Sequence, residues 1–332
     1  MLSVKDNFLE TITKGGNPDR VVVQWGPLEP IMMLDPCMVY TRGMREKGKT
    51  VIDRWGTTIT WPEDQPAAVP HVTSENKVIK DVEKWQDYLK VPDLIANCST
   101  GWEPAQEKVK QIREAGNMAM VFMGTGMFEQ LHSLMGFEDA LMCLLSDPDE
   151  MDEILEEIFK YRCTYAKLLV DNLKPDAVCS HDDWGTKISL FMSPDTWRTF
   201  FKERYRKFYK IFKDAGVLVV HHADSYCEPI VEDMVDVGID VWQGALYTNN
   251  IPKIQKELDG RMAIMGGIDS GLDLDTTPEE ELRAEVRRAM DEYVPGGNFI
   301  PNLPNGLRNG AIFPRTDEII DDEIRKYRGK FF

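Results

Sequence analysis

Short apolar runs alternate along the chain with longer amphipathic stretches, and the alternation becomes regular after about residue 105. Short runs of mostly apolar residues predict strands that are covered on both faces. Seven strands are predicted in this way, at 20–25, 118–123, 176–179, 217–220, 240–242, 262–265 and 298–300.

Three of the amphipathic stretches open with a Ser or Thr, a proline and early acidic residues, which are the usual signals of a helix start. They predict helices over 151–169, 197–215 and 282–293. A repeated strand, helix, strand order predicts a parallel sheet, either a closed barrel or an open doubly wound sheet. Because no GxGxxG motif follows the first strand and polar residues end many strands, the sequence favours an α/β fold of the (β/α)8 TIM barrel type.

The interval 27–104 does not fit the repeat, since it is rich in Pro, Trp and turn residues. The stretch from Trp55 to Trp61 predicts a small hairpin or flap. Long irregular segments in compact domains commonly form lids or binding walls. We therefore expect one barrel domain over 1–332 that carries a lid-like insertion at 27–104.

The charge and cysteine content of the chain indicate which partners and which cellular setting to expect. The chain has 39 basic and 56 acidic residues, a net charge of −17, which disfavours nucleic acid or an anionic membrane as partner. A cytoplasmic setting is expected, because the amino terminus shows no signal peptide pattern and no apolar run approaches a membrane span. Six scattered cysteines without a CxxC pair predict reduced thiols.

Titratable side chains follow two of the predicted strands. The run at 217–220 ends in His221 and His222, with Asp224 and Cys227 close behind, and the run at 176–179 is followed by His181, Asp182 and Asp183. The carboxyl ends of parallel barrel strands are where catalytic residues usually lie. Adjacent strand residues face opposite sides, so we favour His222 over His221.

Each of these residues also has a purely structural interpretation. A buried histidine is commonly a hydrogen-bonded core residue, Asp182 or Asp183 is suited to cap the following helix, and Cys227 is suited to the core. Asp269, which precedes Ser-Gly, is suited to shape a turn. Three histidines at two neighbouring strand ends favour an active site.

Several motifs, taken in order, resemble the uroporphyrinogen decarboxylase superfamily. They are Gly124-Thr-Gly-Met-Phe-Glu129, Leu134-Met-Gly136-Phe-Glu-Asp-Ala140-Leu with Asp147-Pro148, Asp182-Asp183-Trp184-Gly185, His222 before Pro229, Gly238-Ile-Asp240 and Gly266-Gly-Ile-Asp269. The resemblance covers most of residues 105 to 315. It implies a (β/α)8 barrel and one of two activities: decarboxylation in the haem pathway, or methyl transfer to or from a corrinoid carried on a separate protein.

Departures from the family pattern separate these two activities. Decarboxylases of the superfamily carry an arginine-rich segment just after the first strand, whereas here no arginine follows that strand until Arg42. A polyanionic tetrapyrrole needs several cations, so decarboxylation is disfavoured. We expect acidic and aromatic side chains in the site instead.

The zinc site of the thiol-activating methyltransferases is also altered. Their His-x-Cys pattern reads His222-Ala-Asp224 here, and no cysteine follows Cys227, so a His/Cys/Cys site cannot be built. A metal, with zinc as the candidate ion, is expected to use His222 and Asp224, with Cys227 or Asp183 nearby. Loss of two thiolates predicts a methyl donor bonded through oxygen.

These observations predict a methyltransferase that demethylates a small methoxylated, aromatic substrate and passes the methyl group to a reduced corrinoid (a cobalamin) on a partner protein. Its catalytic candidates are His222, His181 and Asp183. An apolar wall of Trp25, Met123, Trp184, Tyr226 and Trp242, with Asp269 and Asn302 as polar contacts, is predicted to bind the substrate. A homodimer is compatible with the resemblance. The alternatives are a decarboxylase of the tetrapyrrole type and a barrel that binds a small molecule without turnover.

Overall fold

A parallel sheet forms the centre of the molecule. The computed structural model describes residues 1–65, 67–305 and 311–332. The strands in these ranges are β1 (Leu28–Ile31), β2 (Thr50–Ile52), β3 (Thr58–Thr60), β4 (Val69–Pro70), β5 (Met118–Met123), β6 (Ala177–His181), β7 (Leu218–His222), β8 (Val241–Ala245), β9 (Ala263–Gly267) and β10 (Phe299–Asn302). The central sheet has the order β1-β5-β6-β7-β8-β9-β10, with every neighbouring pair parallel. Six of the seven predicted strands are therefore confirmed.

Helices connect these strands. They are α1 (Val4–Ile12), α2 (Pro36–Arg42), α3 (Trp85–Tyr88), α4 (Leu94–Asn97), α5 (Glu103–Glu114), α6 (Met127–Met135), α7 (Phe137–Ser146), α8 (Pro148–Leu173), α9 (Pro194–Trp197), α10 (Glu203–Asp214), α11 (Val231–Asp236), α12 (Ile251–Leu258), α13 (Glu279–Tyr293) and α14 (Pro314–Tyr327). The three predicted helices are confirmed, although a π-helical turn at Arg198–Lys202 interrupts the second. In the described part of the chain no helix has the length and apolar content needed to cross a bilayer.

Side-chain alternation along the strands divides the core into two layers. The inner layer, enclosed by the sheet, contains Met118, Met120, Ala177, Cys179 and Val220. Their neighbours on the same strands point outwards and pack beneath the helices. Every second side chain at the carboxyl end of a strand therefore faces the interior of the curled sheet.

The predicted strand at 20–25 is wrong. Gln24 and Gly26 have positive φ angles of 42° and 52°, and the chain turns there, with the Leu28 amide donating to the Trp25 carbonyl. Extended pairing cannot pass through such a turn, so β1 begins only at Leu28. The parallel α/β sheet and its TIM-like curl are confirmed, whereas an eighth strand is not found among the described residues.

The interval 27–104 contains β1, so its predicted amino-terminal boundary is corrected to lie beyond Ile31. The rest of the interval carries α2 to α4 and an antiparallel sheet in the order β2-β3-β4. The predicted hairpin is present, but it is made by β2 and β3 around a turn closed by the Asp53 amide and the Thr57 carbonyl, 3.0 Å apart. This small sheet lies against the carboxyl end of the large one, where it lines a cavity.

Candidate active site

Two imidazole rings from neighbouring strands meet at the carboxyl edge of the sheet. His181 ends β6 and His222 ends β7, and the two residues are partners in the strand register. Their rings stack with centroids 4.3 Å apart and planes 15° apart. His221, one residue earlier, points to the outer layer, where it stacks on Trp184 and bonds the Tyr209 hydroxyl at 2.7 Å. The preference for His222 over His221 thus has its expected geometric basis.

The two histidines line a cavity of about 570 Å³. One wall comes from the ends of β5 to β7 and from α6, and the other comes from the small antiparallel sheet and the chain around α2. The lining mixes apolar and charged side chains, among them Met32, Arg42, Arg45, Asp53, Ile59, Val69, Phe122, Glu129, His132, Cys179, His181 and His222. A cavity of this size is typical of small-molecule sites.

Glu129 holds His181 in place. The carboxylate lies in the first turn of α6, and its Oε2 atom is 3.0 Å from His181 Nδ1 and 3.2 Å from the Gly126 amide. Burial lowers the pKa of His181, but the charge of Glu129 outweighs burial and raises it to about 10. Glu129 responds in the opposite sense, because His181 outweighs burial and leaves its pKa at about 2. In the metal-free protein the pair is therefore an imidazolium and a carboxylate.

Asp182 fixes the start of α6. Its carboxylate accepts the amides of Phe128 at 3.1 Å and Glu129 at 2.9 Å, together with the Trp184 indole N–H at 3.0 Å. A carboxylate at a helix amino terminus satisfies free N–H groups and complements the helix dipole. The predicted capping role thus belongs to Asp182, but the capped helix follows β5 rather than β6.

A chain of side-chain amides fixes His222. Its Nδ1 hydrogen bonds Gln243 Oε1, and Gln243 Nε2 donates to Asn302 Oδ1 at 2.8 Å. Asn302 in turn donates to Gln24 Oε1 at 3.4 Å, and Gln24 Nε2 donates to Asp321 at 2.8 Å. Burial and the neighbouring His181 charge lower the pKa of His222 to about 4, so this ring is neutral near pH 7.

The arrangement fits a metal ion. Ligand atoms of His181, Asp183 and His222 all lie within 4.8 Å of one another. Glu129 and Gln243 occupy the two Nδ1 atoms, which leaves both Nε2 atoms without a hydrogen-bond partner in the described ranges. Histidine ligands of metal sites are commonly oriented by a hydrogen bond at the ring nitrogen that does not bind the metal. Two imidazoles and a carboxylate suit zinc or a similar divalent ion.

The predicted ligand set is therefore only partly brought together. His222 belongs to the cluster, but Asp224 contributes its main-chain amide to Asp183 Oδ1, at 3.1 Å, and its carboxylate is not part of the group. Cys227 is fully buried in the outer layer, where burial raises the pKa of its thiol far above the ordinary range. A buried neutral thiol packed among apolar side chains is poorly suited to bind a cation.

The predicted apolar wall is also corrected. Met123 of β5 and Trp242 of β8 point outwards, because their positions have the wrong parity for the interior. Trp184, in the chain after β6, also packs in the outer layer. Trp25 is in the inner layer but lines a separate cavity of about 390 Å³. The apolar contacts of the histidine cavity come instead from residues such as Phe122.

Three other predicted contacts lie outside this cavity. Tyr226 is half-buried in the loop after β7, where its amide donates to the Thr186 carbonyl. Asp269 shapes a turn by accepting the Gly271 amide at 2.8 Å. Asn302 is fully buried and reaches the site only through Gln243 and His222.

Among the residues at the site that the sequence did not single out are Arg42, Arg45, Glu129, His132 and Gln243. Glu129 and His132 are three apart on α6, and that spacing places both on one helix face. This spacing, next to the Gly124-Thr-Gly motif, was the available signal. The two arginines come from the irregular interval, and only the folded chain reveals their approach to the histidines.

Comparison with known proteins places this geometry in a family. The family described as uroporphyrinogen decarboxylase (URO-D) matches residues 50–316. The chain belongs to the uroporphyrinogen decarboxylase family. The predicted superfamily is thereby confirmed.

Relatives of this URO-D family member include both activities considered above. It is 28% identical over 98 residues to a uroporphyrinogen decarboxylase from Burkholderia thailandensis, a match covering 30% of this chain and 26% of that protein. It is 28% identical over 117 residues to the methylcobamide:CoM methyltransferase MtaA from Methanosarcina barkeri, covering 34% of each chain. The matches thus span between about a quarter and a third of these curated relatives.

A solved structure extends the fold comparison to the whole URO-D family chain. A methyltransferase from Methanosarcina mazei superposes with a TM-score of 0.68 at 18% identity, covering 98% of this chain and 99% of that one. At this level of identity the likeness concerns the fold. It agrees with the curled parallel sheet described above.

Proposed function

We propose that this chain is a corrinoid-dependent methyltransferase. It removes the methyl group of a small methoxylated, aromatic substrate and passes it to a cob(I)amide on a separate corrinoid protein. The similarity to MtaA supports methyl transfer to or from a cobamide. The observation that carries the proposal is the convergence of His181, Asp183 and His222 within 4.8 Å, with the two histidines on the wall of one cavity.

The chemical need for such a cluster lies in the leaving group. In the proposed reaction the electron pair of the reduced cobalt forms a bond to the methyl carbon, and the carbon–oxygen bond breaks. Its electron pair stays on the oxygen, and the resulting phenolate takes a proton from solvent. An unassisted phenolate or alkoxide leaves poorly, so the protein must stabilise the developing charge.

The cluster would act on that oxygen through a bound metal ion. Zn²⁺, when held by His181, Asp183 and His222, supplies Lewis-acid activation of an oxygen leaving group. Glu129 orients the first imidazole and Gln243 the second, each through a hydrogen bond at Nδ1. Glu129 keeps His181 protonated in the metal-free protein, so His181 would have to give up that proton in order to hold a divalent cation.

The apolar part of the cavity suits a planar ring. Phe122 lines the cavity and meets His181 edge to face, with ring centroids 6.1 Å apart. Met32 and Ile59 line the same space from the chain before α2 and from β3. A methoxylated ring resting here would bring its ether oxygen to the cluster while apolar side chains exclude water.

Decarboxylation stays the second candidate because the cavity does contain cations. The sequence-based expectation of acids and aromatics alone was wrong, since Arg42 and Arg45 line the cavity wall. Two arginines on the described part of the cavity wall are few for a tetrapyrrole with many carboxylates. The cluster of two imidazoles and a carboxylate suits the activation of a leaving oxygen that methyl transfer requires.

The deciding experiment incubates the zinc-loaded protein with cob(I)alamin and a panel of methoxylated aromatic compounds. Conversion to methylcobalamin is followed by its absorption spectrum. We expect methyl transfer from at least one aryl methyl ether and its loss in His222→Ala. The proposal fails if no ether, amine or thiol donor methylates the corrinoid while uroporphyrinogen loses carboxylates.

A further inference from the structure

The cavity has a second charged region besides the histidine cluster. Arg42 ends α2, Arg45 follows it by three residues, and both line the 570 Å³ cavity together with Asp53. An adjoining small cavity of about 40 Å³ is lined by the same three residues and by Arg162 of α8. Three guanidinium side chains thus surround a space in a chain whose net charge is −17.

Arg42 and Arg45 have no acidic partner at contact distance in the described part of the chain. Among the residues that the structure describes, neither guanidinium forms an ion pair within 4.0 Å or donates a hydrogen bond, and Arg45 Nε is buried without a partner. Other arginines of the chain behave differently. Arg283, for example, is paired with Glu279, Asp322 and Glu323 at 2.7 to 2.8 Å.

The two carboxylates whose charges act on Arg42 and Arg45, Asp53 and Glu129, already form hydrogen bonds with other groups. Asp53 Oδ1 accepts the amides of Trp55 and Thr57, at 2.9 and 3.0 Å. Glu129, whose charge also reaches Arg42, is bonded to His181. Burial and the neighbouring charge of Arg42 lower the pKa of Arg45 to about 10. Partly buried cations that repel each other favour an anion from outside the chain.

Arg162 adds a third cation that has no acidic partner among the described residues. It is 3% exposed, and its two terminal nitrogens donate to the Thr125 carbonyl and to Ser180 Oγ, the latter at 3.2 Å. Its Nε atom is buried and unpartnered in the described part of the chain. The guanidinium is therefore held rigidly by neutral groups, and its charge is not neutralised.

Phe122 joins the two charged regions. The side chain lines both cavities and meets His181 edge to face at 6.1 Å. Gly124 leaves space for the Phe122 ring, since a Cβ on that glycine would lie 2.3 Å from the ring, and Arg42 Nη1 is only 3.4 Å from the same point. A planar molecule beside Phe122 can therefore reach the arginines at one end and the histidines at the other.

We propose that Arg42 and Arg45, in the space they share with Arg162, form a carboxylate subsite, and that the substrate is a methoxylated aromatic carboxylate. Guanidinium groups bind carboxylates through paired, charge-assisted hydrogen bonds, which fix orientation as well as affinity. The carboxylate would direct the ring so that its methoxy group meets the histidine cluster. This substrate class rests on the proposed methyl transfer, whereas the anion subsite can be tested without it.

Calorimetry on the full chain tests the subsite with three probes: the methoxybenzoate isomers, benzoate and methoxybenzene. Benzoate has no methyl group to give, so its binding reports on the arginines alone. We expect benzoate and the best methoxybenzoate to bind about tenfold or more tightly than methoxybenzene. Arg42→Gln and Arg45→Gln should each weaken the carboxylates by about tenfold or more without changing methoxybenzene.

Two further variants guard against a folding artefact. Arg42→Lys keeps the charge but loses the planar fork, so its affinity for benzoate should fall between those of wild type and Arg42→Gln. Arg206→Gln removes an exposed arginine on α10, far from either cavity wall, and should bind all probes as wild type does. Circular dichroism of every variant must match that of wild type.

The inference is overturned if carboxylates and methoxybenzene bind within about twofold of one another, if the Arg→Gln variants keep wild-type affinity, or if no benzoate binds at about 10 mM. Its failure is distinguishable from failure of the proposed function. Arginine-dependent benzoate binding without methylation of cob(I)alamin by any ether would remove only the methyltransferase. Equal demethylation of neutral and carboxylated ethers would remove only the subsite.

Discussion

His181 and His222 stack 4.3 Å apart, yet their partners give the two imidazoles different charges. A carboxylate faces His181 and raises its pKa to about 10, whereas a neutral amide faces His222, whose pKa burial lowers to about 4. Both Nδ1 atoms are engaged by these partners. What distinguishes a ligand from a core histidine here is therefore the Nε2 atom on each ring, which has no hydrogen-bond partner in the ranges 1–65, 67–305 and 311–332.

The choice of third ligand can be tested at single residues. Asp183→Asn removes the carboxylate that lies within 4.8 Å of both imidazoles, so the dissociation constant for zinc should rise by about 10- to 100-fold. Cys227→Ser changes a thiol buried outside the cluster and should leave zinc affinity unchanged. Competition with a chromophoric chelator measures the zinc dissociation constant of each variant. A larger loss of affinity in Cys227→Ser than in Asp183→Asn would favour the ligand set predicted from the sequence.

At the scale of elements, α6 carries Glu129 into the cavity and depends on a close contact with β6. Asp182 caps the helix, and a Cβ on Gly126 would lie 2.0 Å from the Asp182 side chain. Gly126 has a φ of −68°, which alanine also adopts. The obstacle to alanine is therefore the close approach of the Asp182 side chain. The glycine is needed for packing, and its effect reaches His181 through Glu129.

Gly126→Ala should therefore lower the free energy of unfolding by about 1–3 kcal/mol and weaken zinc binding as α6 moves away. Chemical denaturation and the chelator competition measure the two effects. Gly329→Ala is the matched control, because no atom lies within 4 Å of its added Cβ. An unchanged zinc affinity in Gly126→Ala would show that Glu129 does not depend on this packing.

A second element, the π-helical turn before α10, is held by Asp233 of α11. The carboxylate bonds Arg198 at 3.0 Å and Lys202 at 2.6 Å. Burial raises the pKa of Asp233, but the hydrogen bonds from Arg198 and Lys202 outweigh it and leave the pKa below its usual value. A carboxyl whose pKa is lower in the folded state stabilises the fold above its unfolded pKa of about 4, and this contribution is lost as the pH falls through the folded value.

Asp233→Asn should accordingly cost about 1–3 kcal/mol of unfolding free energy at pH 7, and the difference from wild type should shrink as the pH falls below about 4. Urea denaturation across this pH range provides the measurement. Asp236→Asn, which removes an exposed partner of Lys202, should change stability by less than about 0.5 kcal/mol. A difference that grows on acidification would contradict the assigned sign.

At the scale of the whole molecule, the sequence predicted the sheet better than the lining of its cavity. The strands β5 to β10 were found because their runs are short and apolar, a local property. The segment 20–25 has the same composition but turns at Gln24, whose side chain bridges the edges of the sheet by accepting from Asn302 and from the Leu303 amide. Such a contact between distant segments leaves no local pattern.

The sequence predicted those site residues that lie at the ends of neighbouring strands and on the inward face. His181 and His222 were found because both end strands, whereas Met123 was chosen in place of Phe122, one residue away on the opposite face. Glu129 comes from a helix and Arg42 from the irregular interval, so neither is adjacent to a histidine in sequence. The approach of both side chains to the histidines follows from tertiary packing.

The central claim is that two imidazoles and the Asp183 carboxylate hold a metal ion at this cavity. X-ray absorption at the zinc edge of the zinc-loaded protein tests it most directly. We predict one zinc per chain, with nitrogen and oxygen donors at about 2.0–2.1 Å and the outer-shell scattering of two imidazoles. A sulfur donor at about 2.3 Å, or scattering from fewer than two imidazoles, would contradict the account.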